Sequence, residues 1–361
     1  MEKMINCSIK TLEDLFIGSH EWNTVIKYLN HVRVKEKQED LDLSDFADPK
    51  AVLPIILQAG INIHYDNPSV EQLVSGQQVL SSYPRDLFVA PVEEDVAKRR
   101  SKRNGVLVVP TENPSLEQIK RPVLPIEIIE KTNNTWHDIF LCIKESPGIP
   151  INSLVIIDRY LFVRNGFWGW ETGKNNIIKI LSEALPLAFD ERFDILIITS
   201  DESLDNQSDY DLDDMVAELN EDCHELRNYE INLEVLVLKN DKDKKGKGDK
   251  RLWDESHDRR IISNYYRIGA TKGFFAFVGP RTNEVFRSQT ITVDCAFSNL
   301  ENKYAQLFGF PIKGYDATLS EIYRYVSTHQ KSSPCYQFYK NGQWKKDLTS
   351  FENRIVMMQK S

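Results

Sequence analysis

The 361-residue chain lacks the patterns of secreted, membrane-spanning and strongly basic proteins. Its five cysteines are scattered and include no Cys-x-x-Cys pair, so they do not indicate a disulfide framework. The amino-terminal residues contain no apolar run of the signal-peptide kind, and no later run approaches the roughly 20 apolar residues of a membrane helix. A formal net charge of −9 excludes a globally basic coat for nucleic acid. We therefore expect a cytoplasmic protein without a membrane span.

Several common catalytic and nucleotide-binding motifs are also absent. The chain has no Gly-x-x-x-x-Gly-Lys-Ser/Thr phosphate loop, no Gly-x-Gly-x-x-Gly fingerprint and no Gly-x-Ser-x-Gly elbow. It also lacks the His-x-Glu and Cys-x-x-Cys combination of zinc deaminases. The sequence therefore indicates neither a cofactor nor a metal site.

The apolar runs that are present predict an α/β fold. Three runs at 153–157, 194–199 and 233–238 are continuous enough for strands buried on both faces. Between them, apolar residues recur at helical spacing over 177–185 and 212–226. Strand–helix alternation of this kind predicts a mainly parallel sheet with right-handed crossovers.

The length of the chain suggests more than one domain. A series of prolines between 110 and 125 predicts a boundary near residue 125. We expect an N-terminal α+β domain of unknown type over 1–125, an α/β domain over 126–300 and a C-terminal extension over 301–361. The N-terminal domain would be available to a protein partner.

The strongest chemical pattern begins at His257. On an extended chain, His257 and Arg259 point to the same side. An imidazole and a guanidinium in this arrangement could contact one phosphoryl group, the first as nucleophile or proton donor and the second as a bidentate clamp. A histidine two positions before a cation also occurs at His31 and His329, but each of these lies near the end of a predicted helix. The His257 copy alone opens a predicted strand.

The segment from His257 to Asn264 resembles the phospholipase D superfamily signature, His-x-Lys-x4-Asp. Arg259 takes the lysine position and Asn264 the aspartate position. The resemblance is closer to the divergent HDR branch, which includes domains of trafficking proteins and of prokaryotic defence proteins. Asp158 and Tyr160 match the Asp-x-Tyr of that branch. The resemblance covers about residues 126–300 and implies a phospholipase D-like mixed sheet flanked by helices.

Two positions depart from the family pattern, and the chain holds one signature where the family uses two. Arg259 keeps the positive charge, whereas Asn264 lacks the carboxylate that helps to orient the family's histidine. A complete site would need a homodimer. The resemblance therefore implies a degenerate site that recognises phosphate-containing ligands, nucleic acid first among them, with prokaryotic antiviral defence as a setting. In that site Arg260 and Lys272 would anchor phosphates beside Asp258.

A second basic cluster precedes an apolar run at 105–110. We expect it on an exposed loop, where it would either grip a nucleic-acid backbone or simply be solvated. Its members are Lys98, Arg99, Arg100, Lys102 and Arg103.

Two further hypotheses stay open. The first is a metal-independent, homodimeric phosphodiesterase or nuclease, in which His257 forms a phosphohistidine and Arg259 stabilises the transition state. The second is a non-catalytic protein-interaction module, in which Asp258 and the two neighbouring arginines form an ordinary salt-bridge network at a sheet edge.

Overall fold

A computed structural model describes most of the chain, and its contacts divide the protein into two units. The described residues are 4–29, 31–41, 47–48, 51–77, 80, 83–115, 126–128, 135–144, 148–161, 170–201, 211–239, 259–270, 273–274, 276–277, 288–295, 315–331 and 334–357. Unit 1 comprises Met1–Arg121 and Ser146–Asn152, and unit 2 comprises Pro122–Glu145 and Ser153–Lys360. Across the described residues, no helix is both long enough and apolar enough to cross a bilayer.

Unit 1 is built on parallel strands that alternate with helices. Within the described residues, its strands form one five-stranded sheet in the order β3-β2-β1-β4-β5, and every pair is parallel. The strands are β1 (Ile5–Cys7), β2 (His31–Val34), β3 (Asn62–His64), β4 (Leu87–Ala90) and β5 (Leu107–Pro110). The helices are α1 (Ile9–Gly18), α2 (His20–Leu29), α3 (Val52–Gln58), α4 (Pro68–Val74) and α5 (Glu94–Asn104).

The α/β class predicted for the chain is confirmed, but unit 1 differs from the α+β arrangement expected for the N-terminal domain. Its strand order is that of a doubly wound α/β sheet. Strands β2 and β3 lie on one side of β1, and strands β4 and β5 lie on the other side. The strands have only three or four residues each, too short for a clear strand pattern in the sequence. The helical spacing predicted up to His31 also ends earlier, at Leu29, and His31 instead opens β2.

The segment Ser146–Asn152 returns to unit 1 immediately before the first strand of the central sheet. The side-chain amide of Asn152 donates to the carbonyl oxygens of Pro84 and Gly105, both at 3.0 Å. Gly105 has a φ of +64° and would place an added Cβ 2.2 Å from the Ile151 carbonyl oxygen. The turn after α5 and this returning segment are therefore packed backbone against backbone.

Unit 2 contains a larger, mixed sheet. Within the described residues it has nine strands in the order β14-β13-β9-β8-β7-β10-β11-β12-β6. The strands are β6 (Ile126–Ile128), β7 (Ser153–Ile157), β8 (Phe193–Ser200), β9 (Ile231–Leu238), β10 (Arg259–Ser263), β11 (Tyr266–Ala270), β12 (Gln289–Cys295), β13 (Tyr336–Lys340) and β14 (Gln343–Lys345). The helices are α6 (Trp136–Lys144), α7 (Trp170–Ala184), α8 (Leu212–Glu225), α9 (Tyr315–Thr328) and α10 (Arg354–Met357).

The central part of this sheet matches the sequence prediction. Strands β7, β8 and β9 pair in parallel and bury every residue, and helices α7 and α8 connect them as expected. The region 301–361 contributes to the same unit: β13 pairs antiparallel with β9, and α9 packs Leu319 and Ile322 against Leu196 and Leu236 of the sheet. The mixed sheet flanked by helices is thus confirmed.

Two buried carboxylates lie near the amino-terminal ends of β8 and β9. Asp194 accepts hydrogen bonds from Nε of Arg192 at 3.0 Å and from Nε of Arg354 at 2.9 Å. Glu234 accepts from the backbone N–H groups of Glu352 at 2.7 Å and Asn353 at 3.0 Å. These bonds satisfy amides at the start of α10 and hold the end of the chain against the sheet.

Glu234 is expected to make the stability of unit 2 depend on pH. Burial, together with the nearby Asp194 carboxylate, raises the pKa of Glu234 from its ordinary value of 4.5 to about 8. Between these values the folded chain holds a proton that the unfolded chain releases, so the free energy of unfolding falls as pH rises, at most by roughly 1.4 kcal/mol per pH unit. Glu234→Gln should remove this contribution.

The measurement is urea unfolding of both proteins at intervals between pH 5 and 8. Glu352→Gln is the matched control, because hydrogen bonding to Lys340 lowers the pKa of the Glu352 carboxyl and keeps its titration below this window. Parallel pH profiles for the wild type and Glu234→Gln would contradict the prediction.

Candidate functional site

The candidate site predicted around Arg259 lies at one edge of the unit 2 sheet. Strand β10 runs antiparallel to β7, and the pairing of Arg260 with Ile157 puts Arg259 beside the carboxyl end of β7. There the Nε of Arg259 donates to Oδ1 of Asp158 at 3.4 Å. The Asp158 side chain is fully buried and that of Arg259 is 12% exposed. The guanidinium is thus ion-paired within the protein.

Asp158 binds three parts of the chain at once. Besides Arg259, its carboxylate accepts the backbone N–H of Tyr160 at 3.0 Å and that of Phe274 at 3.0 Å. The Arg259 guanidinium also lies 5.3 Å from the centre of the Tyr160 ring, a cation–π distance. Asp158 and Tyr160 therefore fix the position of the arginine.

Gly273 allows this close packing. Its φ is +101°, and an added Cβ would lie 2.9 Å from Cδ and Nε of Arg259 and 3.1 Å from Oδ2 of Asp158. A side chain at this position would displace the ion pair. Neither the positive φ of Gly273 nor the pairing of residues 158 and 259 has a local signal in the sequence, although Asp158 directly follows a strongly apolar strand.

The structure does not bring Arg259 together with Arg260 or Asn264. Arg260 alternates to the other face of the strand, is buried, and donates from Nη1 to the hydroxyl of Thr318 at 2.7 Å. The chain bends at Asn264 as the sequence hypothesis required, but that residue is fully buried at the opposite end of β10, roughly 16 Å from Arg259 along the strand. The described structure therefore does not bring Arg259 and Asn264 together, and a role for either residue in a ligand site stays a prediction. Salt bridging at this edge uses Asp158.

The other predicted members of this site, His257, Asp258 and Lys272, lie outside the described residues. Their roles stay predictions.

The second basic cluster lies on helix α5 of unit 1, not on the loop that the sequence suggested. Glu94 and Asp95 occupy the first turn, Lys102 and Arg103 the last, and Gly105 ends the helix with a left-handed φ. Charges arranged in this way complement the helix dipole, and a glycine at this position is a common C-terminal signal. The acidic residues before the cationic run and the glycine after it are therefore sequence signals for a helix over this segment.

The cations of α5 divide into one structural residue and four exposed residues. Arg100 is half-buried and donates from Nη1 to the carbonyl oxygen of Leu73. Lys98 pairs with Glu94 at 2.5 Å, which raises the pKa of Lys98. Ala97, Ser101 and Asn104 form the buried side of the helix. The exposed cations are Lys98, Arg99, Lys102 and Arg103.

Comparisons with known proteins give little further guidance. No family model matches the chain, and no curated protein does. A solved polyphosphate kinase from Porphyromonas gingivalis is similar with a TM-score of 0.26 and 10% identity over 72% of this chain. The match covers 36% of that kinase, so the chain spans about a third of its length. No family or activity follows from a likeness of this size.

Proposed function

We propose that the protein binds the phosphate backbone of nucleic acid through the exposed face of α5 and does not hydrolyse it efficiently. The observation that carries this proposal is the clustering of Lys98, Arg99, Lys102 and Arg103 on one exposed helix face of an otherwise acidic chain. At 100° per residue, these four side chains span an arc of about 140°. Their α-carbons span about 7.5 Å along the helix axis. One strand of a duplex presents a phosphate about every 3.4 Å, so neighbouring phosphates can be contacted together.

The surrounding contacts support a surface of fixed shape. Ser101 accepts the backbone N–H of Val108 at 2.9 Å, which ties α5 to β5. Arg100 holds the helix to the end of α4 through the Leu73 carbonyl oxygen. The exposed cations thus project from a helix attached on its buried side, and binding would not require the helix itself to fold.

Binding should depend steeply on salt. If four phosphates are neutralised, log K falls with log salt with a slope of about −3.6 on duplex DNA, and the affinity falls roughly 100-fold between 50 and 200 mM salt. We expect Lys98→Gln, Arg99→Gln, Lys102→Gln and Arg103→Gln together to remove most of this slope. Fluorescence anisotropy with a labelled 20-base-pair duplex and a labelled 20-nucleotide single strand measures it.

The matched control neutralises four exposed lysines elsewhere, so the net charge changes equally. The control combines Lys10→Gln, Lys35→Gln, Lys37→Gln and Lys346→Gln. Loss of affinity in the α5 variant with retention in the control supports the proposal. Equal losses of affinity in the two variants would show that binding depends on net charge alone. Absence of binding by the wild type would favour the interaction-module hypothesis. Either result rejects the α5 proposal.

The ion pair of Arg259 with Asp158 weakens any phosphate contact at Arg259, because an incoming phosphate must compete with a carboxylate already in place. The proposal therefore rests on α5 and expects no efficient hydrolysis at Arg259. The same preparations can be tested for hydrolysis of a phosphodiester reporter in EDTA. We expect none. Hydrolysis that is lost in His257→Ala would replace this proposal with the phosphodiesterase alternative. The homodimer and the antiviral setting stay expectations from the resemblance.

A further inference from the structure

Two histidines meet on neighbouring strands of unit 1, in contacts that the proposed function does not use. His31 opens β2 and His64 ends β3, the outermost strand of its sheet. Arg33 pairs with His64 in the strand register, so His31 and His64 are diagonal neighbours on one face. Nδ1 of His31 lies 3.0 Å from Nε2 of His64, and the ring planes are 28° apart.

This nitrogen–nitrogen distance is that of a hydrogen bond between the two rings, and it also lies within the spacing of two ligands of one metal ion. Metal–imidazole bonds of about 2.0–2.1 Å place two ligand nitrogens about 2.9 Å apart at a 90° angle and about 3.3 Å apart at the tetrahedral angle. The observed 3.0 Å falls between these values. Square-planar copper or nickel and tetrahedral zinc both accept imidazole ligands.

We propose that His31 and His64 form a two-imidazole site for a divalent late first-row metal ion, that is copper, nickel or zinc. In the metal-free pair, one ring donates an N–H to the lone pair of the other. On metal binding that N–H proton moves through solvent to the other nitrogen of its ring, and both rings turn so that their two lone pairs converge on the metal beside the nitrogen–nitrogen line. Two neutral rings therefore release no net proton, and water completes the coordination.

Neighbouring charge is compatible with a bound cation. Arg33 lies on the same face, but it is ion-paired with Asp86 and lies 4.4 Å from the centre of the Tyr83 ring. His31 is half-exposed and His64 exposed, so an ion can reach them from solvent. Among the described residues, no group of three or more histidine, cysteine, aspartate or glutamate side chains could hold a metal. The site is therefore expected to be open and exchangeable.

The test uses the tag-free, full-length protein, stripped with EDTA. Titration with one equivalent of Cu²⁺, followed by electron paramagnetic resonance, should show coupling to two nitrogens, and calorimetry with Zn²⁺ gives the affinity. His31→Ala and His64→Gln should each weaken binding by about tenfold or more, because the chelating second ligand is lost. The control is His224→Ala, an exposed histidine whose Nδ1 faces the Asn220 carbonyl oxygen; its affinity should not change.

A second measurement on the wild type applies even if a variant fails to fold. One equivalent of Zn²⁺ should protect His31 and His64 from diethylpyrocarbonate, as read by mass spectrometry, and leave His224 reactive. Unchanged Cu²⁺ coupling in folded His31→Ala and His64→Gln, or equal modification of all three histidines with and without Zn²⁺, would overturn the proposal. None of these results depends on nucleic-acid binding.

Discussion

Gly105→Ala is expected to destabilise unit 1 by about 4 kcal/mol or more, a large part of the roughly 5–15 kcal/mol by which an ordinary domain is stable. The added methyl group would lie 2.2 Å from the Ile151 carbonyl oxygen, 2.5 Å from its carbon and 2.7 Å from Cβ of Asn152. The first two atoms are backbone, so they cannot rotate away as the end of a flexible side chain can. Relief would require the returning segment to move and would break the Asn152 hydrogen bonds.

Gly60→Ala is the matched control, because Gly60 has a similar φ of +77° and no atom within 4 Å of an added Cβ. It should show only the backbone penalty of a left-handed alanine, about 1–2 kcal/mol. Urea unfolding followed by circular dichroism compares the two variants. Equal losses of stability would show that the contact with Ile151 contributes nothing.

Asp194→Ala should destabilise unit 2 by about 3–5 kcal/mol, because it leaves buried donors without their acceptor. The Asp194 carboxylate is fully buried and accepts from the side chains of Arg192, Asn232 and Arg354. It also accepts the backbone N–H of Arg354 at 3.1 Å. Asn232 is fully buried and the Arg354 side chain is 12% exposed, so water can replace few of these bonds.

Glu352→Ala provides the comparison for Asp194→Ala in the same cluster. Glu352 pairs with Arg192 at 2.8 Å and with Lys340 at 2.9 Å, yet its side chain is 48% exposed. Exposed ion pairs of this kind contribute about 0–1 kcal/mol. Thermal unfolding of both variants is the measurement, and a loss below 1 kcal/mol for Asp194→Ala would contradict the assignment.

The accuracy of the sequence predictions follows the length and apolar character of each element. Strands β7, β8 and β9 can be predicted because a continuous apolar run indicates a strand that is buried on both faces. Strands β1 to β5 have only three or four residues, and their parallel pairing depends on helices that pack over them. The sequence predicts a loop for the cationic run because the composition of the run outweighs the helix-end signals on either side, whereas the structure places it on α5.

The candidate sites were less predictable than the sheet, since they depend on long-range contacts. Asp158 and Arg259 are separated by 101 positions, and their contact follows from antiparallel pairing of β10 with β7. Motif spacing groups Asn264 with Arg259 because it counts residues along the chain, whereas an extended strand separates its two ends in space. The His31–His64 contact likewise needs the register of β2 on β3.

The return of Ser146–Asn152 to unit 1 has a practical consequence for dissecting the protein. The polypeptide passes from unit 1 to unit 2 near residue 122, comes back at 146 and leaves again at 153. A fragment ending anywhere between 125 and 145 would omit Ile151 and Asn152, which cover Gly105. Separating the units would call for grafting this short peptide onto the amino-terminal half, or for a circularly permuted gene.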